Sequence, residues 1–112
     1  MDVEREVALM VRERVGVPVV LEVPDKRPDE FVSIELLGGG SGMLDQARLA
    51  VQSWARTRLR ARQIASEVER AAADLDERPN LFGPSVDDTY RFPDPDSGQA
   101  RYQTVVSVWV CE

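Results

Sequence analysis

Leu44-Asp45-Gln46-Ala47-Arg48-Leu49-Ala50-Val51-Gln52-Ser53-Trp54-Ala55 runs almost without a break into residues 57–75, and the change of period between the two decides the fold. In the first stretch Ala47, Leu49 and Val51 alternate with Arg48, Ala50, Gln52 and Trp54. A period of two places these sets on opposite faces of a strand. In the second stretch Ala61, Ile64, Ala65, Val68, Ala72 and Leu75 recur at three- and four-residue spacing, which makes one apolar stripe on a helix. A strand that feeds a helix covers its own apolar face by folding that helix back on it. The helix is therefore expected to be the main cover of one sheet.

The closing run, residues 102–111, supplies another strand of that sheet. Thr104, Val106, Val108 and Val110 share one face; Val105, Ser107, Trp109 and Cys111 share the other.

Ahead of this pair, residues 2–15 predict a first helix with Asp2 as N-cap, Glu4 and Glu6 at the positive end of its dipole, and Val3, Val7, Met10 and Val11 buried. Gly16 fits the position after the helix, and Pro18 prevents continuation. Residues 18–23 predict a short strand with Val19, Leu21 and Val23 on one face. A proline-bounded polar loop follows at 24–29, then a strand at 31–37 with Val32, Ile34 and Leu36 on one side and Phe31, Ser33 and Glu35 on the other. Gly38-Gly39-Gly40-Ser41-Gly42 reads as a flexible hairpin connection. After the second helix come a loop at 76–83, a strand at 86–92 and a strong turn at 93–98. The expectation is one α+β domain spanning 1–112: a mostly antiparallel sheet of about four to five strands with two helices, in the order α-β-β-β-α-β-β.

The composition, 43% hydrophobic and 30% charged over 112 residues, is that of an ordinary globular chain. No apolar run approaches the roughly 20 residues of a membrane helix. The acidic start has no apolar core of a signal peptide, so none is expected. Cys111 is the only cysteine and there is no histidine. That removes an internal disulfide, Ser-His-Asp and Cys-His catalysis, and Cys/His zinc sites within one chain. No cofactor is expected.

The net charge of −6 is uneven: residues 1–37 hold nine acids and five bases, residues 44–75 four acids and six bases, and residues 76–112 seven acids and three bases. Such a chain is repelled by nucleic acid. Lys26 is the only lysine among fourteen bases, which reflects a GC-rich coding genome.

Arg56, Arg58, Arg60 and Arg62 crowd the start of the second helix, where positive charge opposes the helix dipole. The plainer reading is a solvated face partly offset by Glu67 and Glu69. The functional reading is a basic patch that meets an acidic surface on a neighbouring copy. Trp54 and Trp109 fall on the strand faces opposite the more apolar sets. Left uncovered, they mark an association surface; the plainer reading is that a loop or the first helix covers them. The glycine run lacks the Lys and Ser/Thr of a phosphate loop. Asp94 and Asp96 before Gly98 lack the later ligands of a calcium loop, and read as a solvated turn.

Gln52-Ser53-Trp54-Ala55, then Thr57-Arg58 and a helix with Ala61 and Ala65, resembles a group of small phage tail proteins. So does the stretch from Phe92-Pro93-Asp94-Pro95-Asp96-Ser97-Gly98 to Gln99-Ala100-Arg101-Tyr102-Gln103 ahead of a valine-rich final strand. So does Val23-Pro24 with Arg27-Pro28-Asp29-Glu30-Phe31-Val32 before a glycine loop. Over nearly its full length the chain looks like the tail terminator or tail-completion proteins of long-tailed phages and prophages of high-GC actinobacteria.

The resemblance implies a non-enzymatic virion protein, assembled in the bacterial cytoplasm. It implies a homohexameric ring that caps the tail tube, ends its polymerisation and presents the head-joining surface. Its partners would be further copies of itself, the tail tube protein and the head–tail connector protein. DNA would pass through the ring without sequence-specific binding, and no membrane is involved. Arg56, Arg58, Arg60, Arg62, Trp54 and Trp109 are then subunit-interface candidates. Lys26, Arg27, Asp94, Asp96 and Arg101 are tube- or connector-contact candidates. Rival readings are a head-side connector or head-completion subunit of the same neck, a small non-catalytic adaptor domain, and an enzyme using Asp87, Asp88, Asp94 and Asp96.

Overall fold

Two helices lie on one face of a five-stranded sheet in this computed structural model, which describes residues 2–40 and 44–111. The elements are α1 (Val3–Val15), β1 (Val19–Val20), β2 (Phe31–Gly38), β3 (Leu44–Ala55), α2 (Arg58–Ala73), a 3-10 turn (Leu75–Glu77), β4 (Leu81–Arg91) and β5 (Ala100–Cys111). The sheet order is β1-β2-β3-β5-β4. Only β1–β2 is parallel; the other pairs are antiparallel. The expected α+β class and element order are met.

The periodicities explain the layers. Val32 and Ile34 of β2, Ala47, Leu49 and Val51 of β3, and Val106, Val108 and Val110 of β5 form one buried face. Against it pack Val3, Val7, Met10 and Val11 of α1 and Ala61, Ile64, Val68 and Ala72 of α2. Each fully buried Val, Leu or Ile contributes about 1.5–3 kcal/mol relative to an exposed one. Alanines at 61, 65 and 72 keep α2 close to the sheet.

The helix starts are capped by side chains. Asp2 Oδ1 accepts from the Arg5 N–H at 3.1 Å, and Thr57 Oγ1 accepts from the Arg60 N–H at 3.2 Å. Each cap contributes on the order of 1 kcal/mol. Gly16 ends α1 with φ 76°, as the sequence predicts.

Two strand boundaries depart from expectation. The strand expected over 18–23 shrinks to Val19–Val20, and Leu21 and Val23 are exposed. Because β1 runs parallel to β2, the chain after Val20 must return to Phe31, level with where β1 began. Each further strand residue would add about 3.3 Å to that return. The second departure is β4, which starts at Leu81 within the expected loop. Gly83 and Pro84 are absorbed by a register shift between Phe82 and Ser85, and a second shift, between Val86 and Asp88, takes up Asp87. An edge strand tolerates a proline that has no N–H to donate.

The other edge is closed by a side chain. Glu4 Oε2 of α1 accepts from the backbone N–H of Leu36 at 2.7 Å, where β1 no longer covers β2. The β2–β3 hairpin departs and returns through Gly39. Its φ is 75°, and a Cβ there would lie 1.9 Å from the Gln46 carbonyl oxygen. Residues 41–43, the tip of the expected glycine connection, lie outside the described residues.

β3 and β5 are twelve residues each, about 40 Å, and match the 41 Å length of the molecule. α2, at sixteen residues, covers only about 24 Å of that length. It starts immediately after β3, so the sheet outruns it at the end where β3 and β4 begin and β5 finishes.

Candidate assembly surface

The helix-free face of the sheet carries both tryptophans, as the alternation predicts, because β3 and β5 stay in register from Leu44–Cys111 to Ala55–Ala100. Their surroundings differ completely.

Trp54 sits opposite Phe31 across β2–β3, and the two rings stack at 5.1 Å with 10° between their planes. Its indole N–H donates to Ser33 Oγ at 2.9 Å. Ser33 donates to Gln52 at 3.1 Å, Gln52 to Gln103 at 2.9 Å, and Gln103 to the Tyr90 hydroxyl. This ladder crosses β2, β3, β5 and β4 and satisfies each polar group in turn.

Two guanidiniums cover the indole: Arg101 at 4.7 Å from the ring centroid and Arg27 at 5.2 Å. Arg101 also lies 4.2 Å from the Phe92 ring and donates to the Phe92 carbonyl at 2.6 Å. Arg27 donates to Asp94 at 2.8 Å, Ser97 donates to Asp94 at 2.7 Å, and Gln99 donates to the Pro28 carbonyl at 3.2 Å. The loops 21–30 and 92–99 are thereby locked together over one ring. The hydrogen bond from Ser97, then that from Arg27, holds the Asp94 carboxyl down to about 2. Burial pushes the Arg101 guanidinium below its ordinary value.

Trp54, Asp94 and the loop charges each find partners within the fold. Trp54 is 2% exposed, in line with the plainer reading of a covering loop: Arg27 of the loop 21–30, joined by Arg101 of β5, lies over its ring. Asp94 is buried and ion-paired rather than part of a solvated turn. Arg27, Asp94 and Arg101 are brought together, but their charges are spent on one another and on aromatic faces. Lys26 stays outside the cluster, exposed; the Asp96 side chain is also exposed, but its backbone N–H donates to Asp94 Oδ1 at 3.2 Å.

The arginines around the start of α2 diverge. Arg56 faces Asp29 at 3.7 Å, and Arg60 pairs with Glu30 at 2.8 Å. The hydrogen bond to Glu30 raises the Arg60 guanidinium above its ordinary value. Arg62 pairs with Glu69 at 3.1 Å, in keeping with the offset by Glu69. Such surface pairs are worth roughly 0–1 kcal/mol each. Arg58 makes no ion pair among the described residues. Beside it Leu59 is 70% exposed. Sequence reading passed over Leu59, although it lies off the apolar stripe by nearly half a turn, and that offset is the signal.

At the far end of the same sheet face Trp109 is 39% exposed. Register places Phe82 of β4 on one side of it and Gln46 of β3 on the other, with Leu44 opposite Cys111 one step beyond. Phe82 and Leu44 are exposed, and so is Cys111. Sequence reading missed Phe82 because it was placed in a loop. Leu44 was visible: it has the same parity as Trp54. Asp87 of β4 accepts from Ser85 at 2.9 Å and from Ser107.

Among the described residues no group of three or more His, Cys, Asp or Glu is placed to hold a metal ion, and no helix is long and apolar enough to cross a membrane.

No protein-family model matches the chain, and no curated protein matches it. Among solved structures, a chain from the virion of a native gene transfer agent particle is similar to it. The TM-score is 0.67, over 96% of this chain and 92% of that one, at 17% identity. The likeness is one of fold.

Proposed function

We propose that this chain is a structural protein of a phage-like virion, and that it works as a tail terminator. In this reading copies form a ring, a hexamer in the resembled family, that caps the tail tube. The ring ends tube polymerisation and offers the surface to which the head is joined. Its partners are the tube protein on one side and the connector protein on the other.

The observation that carries the reading is the shared fold, over nearly the whole of both chains, with a virion component. The sequence resemblance to tail terminators gives the finer role. The distribution of side chains agrees with both. Polar groups on the helix-free face are largely committed to one another, so the sheet is a stiff plate. The groups left free are apolar or charged and lie on the surface, where a protein that binds proteins needs them. A net charge of −6 suits a ring through which DNA slides, since an acidic surface gains nothing from counterion release.

A gold-labelled antibody against the chain, applied to purified particles, tests this. Label at the joint between tail and head is expected. Label over the head shell, or particles free of the chain, would contradict it.

A further inference from the structure

A ring closes through a heterologous contact, in which one patch meets a different patch on the next copy. Two exposed apolar patches on this chain have surroundings of opposite charge.

The first is the outer face of α2. At about 100° per residue, Arg58, Leu59 and Gln63 turn away from the buried stripe of Ala61, Ile64, Ala65 and Val68, while Arg62 beside them is tied to Ser66 and Glu69 and lies 5.9 Å from the Tyr102 ring. Leu59, 70% exposed, stands in the middle of them.

The second is the overhanging end of the sheet's other face. Leu44, Trp109 and Phe82 stand on the adjacent strands β3, β5 and β4 and are 61%, 39% and 41% exposed. Asp87 and Asp88 follow on β4, Asp87 held by Ser107 two residues before Trp109. Arg48, opposite Ser107, is a cation of this face, and the two aspartates outnumber it.

We infer that the Leu59 patch of one copy seats on the Trp109 patch of the next. This deepens the ring reading and rests on it. The contact removes apolar surface from water on both sides and brings Arg58, which has no ion pair among the described residues, towards Asp87 and Asp88. A second copy is the occupant because the two patches complement each other within one chain. Like on like would set arginine against arginine, or aspartate against aspartate, which is repulsive. The exposed Cys111, across from Leu44, reports on the second patch without being part of its chemistry.

Coupling with a short bismaleimide tests the contact, both on the purified chain at high concentration and in lysate of cells assembling particles. The Gln63→Cys variant carries a thiol at each patch. It should give a ladder of dimers, trimers and longer products. The unaltered chain, with Cys111 alone, should give none. Adding Leu59→Asp should cut the ladder about tenfold or more, the loss of a buried apolar anchor. Arg58→Glu should weaken it, and Asp88→Arg in the same chain should restore it in part. Dimers formed through Cys111 alone would mean that like patches meet, and would overturn the inference. So would the absence of a ladder in both settings. Gold label at the joint without a ladder would leave the virion reading standing and this contact refuted.

Discussion

Arg27 and Asp94 are 67 residues apart in the sequence, and their side chains meet at 2.8 Å. The pair ties the loop before β2 to the loop before β5. Trp54, from a third segment, lies under Arg27 and Arg101, and the stacked Phe31 gives the cluster its floor. One end of the molecule is therefore held by a polar and aromatic lock rather than by an extension of the helix-covered core.

The lock is acid-sensitive. Asp94 loses its proton more readily in the folded chain than the ordinary value of 3.8 implies, at about 2. Its stabilising contribution is therefore complete above the ordinary value and is lost as pH falls through the folded one. Thermal midpoints of the wild-type chain and Asp94→Asn should differ at pH 5 and converge towards pH 2 (about that window, from linkage). A gap that stays constant down to pH 2 would show that the carboxylate charge is not what holds the loops.

Trp54 anchors both the stack and the hydrogen-bond ladder. Trp54→Phe keeps an aromatic ring but removes the N–H that Ser33 accepts, at a cost of about 1–3 kcal/mol. Trp54→Ala also loses the packing and should cost about 3–5 kcal/mol. Urea unfolding reads both. Equal losses for the two would mean that the N–H, not the ring, carries the effect.

Gly83 and Gly98 separate backbone strain from side-chain crowding. Both have positive φ, 60° and 74°. A Cβ on Gly98 meets nothing within 4 Å, whereas one on Gly83 lies 3.1 Å from Trp109 Cδ1. Alanine at either position should cost about 1–2 kcal/mol for the left-handed backbone. Gly83→Ala alone should also shift Trp109, seen as a change in tryptophan fluorescence. An unchanged spectrum would place the indole elsewhere.

Glu4 protects the exposed part of the β2 edge. Glu4→Ala leaves the Leu36 N–H without its acceptor. The amide should exchange with solvent faster, and stability should fall by about 1–2 kcal/mol. The bared edge should also make the chain more prone to associate through its strands. Unaltered exchange at Leu36 would show that solvent already reaches that edge.

The parts legible in the sequence were those with a strong period. The alternation of β3 and β5 placed Trp54 and Trp109 on one face, and the α2 stripe named the buried residues. β4 escaped because Phe82-Gly83-Pro84 looks like a turn, and only pairing to β5 makes it a strand. β1 was overextended because Leu21 and Val23 keep the alternation after the chain has turned away. The fate of Trp54 was not readable at all. Nothing local to Arg27 or Arg101 says that they share a ring. The four arginines near α2 looked like a patch because they are close in sequence, but Arg60 turns to Glu30 while Arg58 stands outward with Leu59.

Electron microscopy of particles from cells lacking this gene tests the central claim most directly. Tails of uncontrolled length, longer than those of the parent, are predicted if the chain caps the tube. Tails of normal length beside filled, unjoined heads would contradict it, and would move the chain to the head side of the joint.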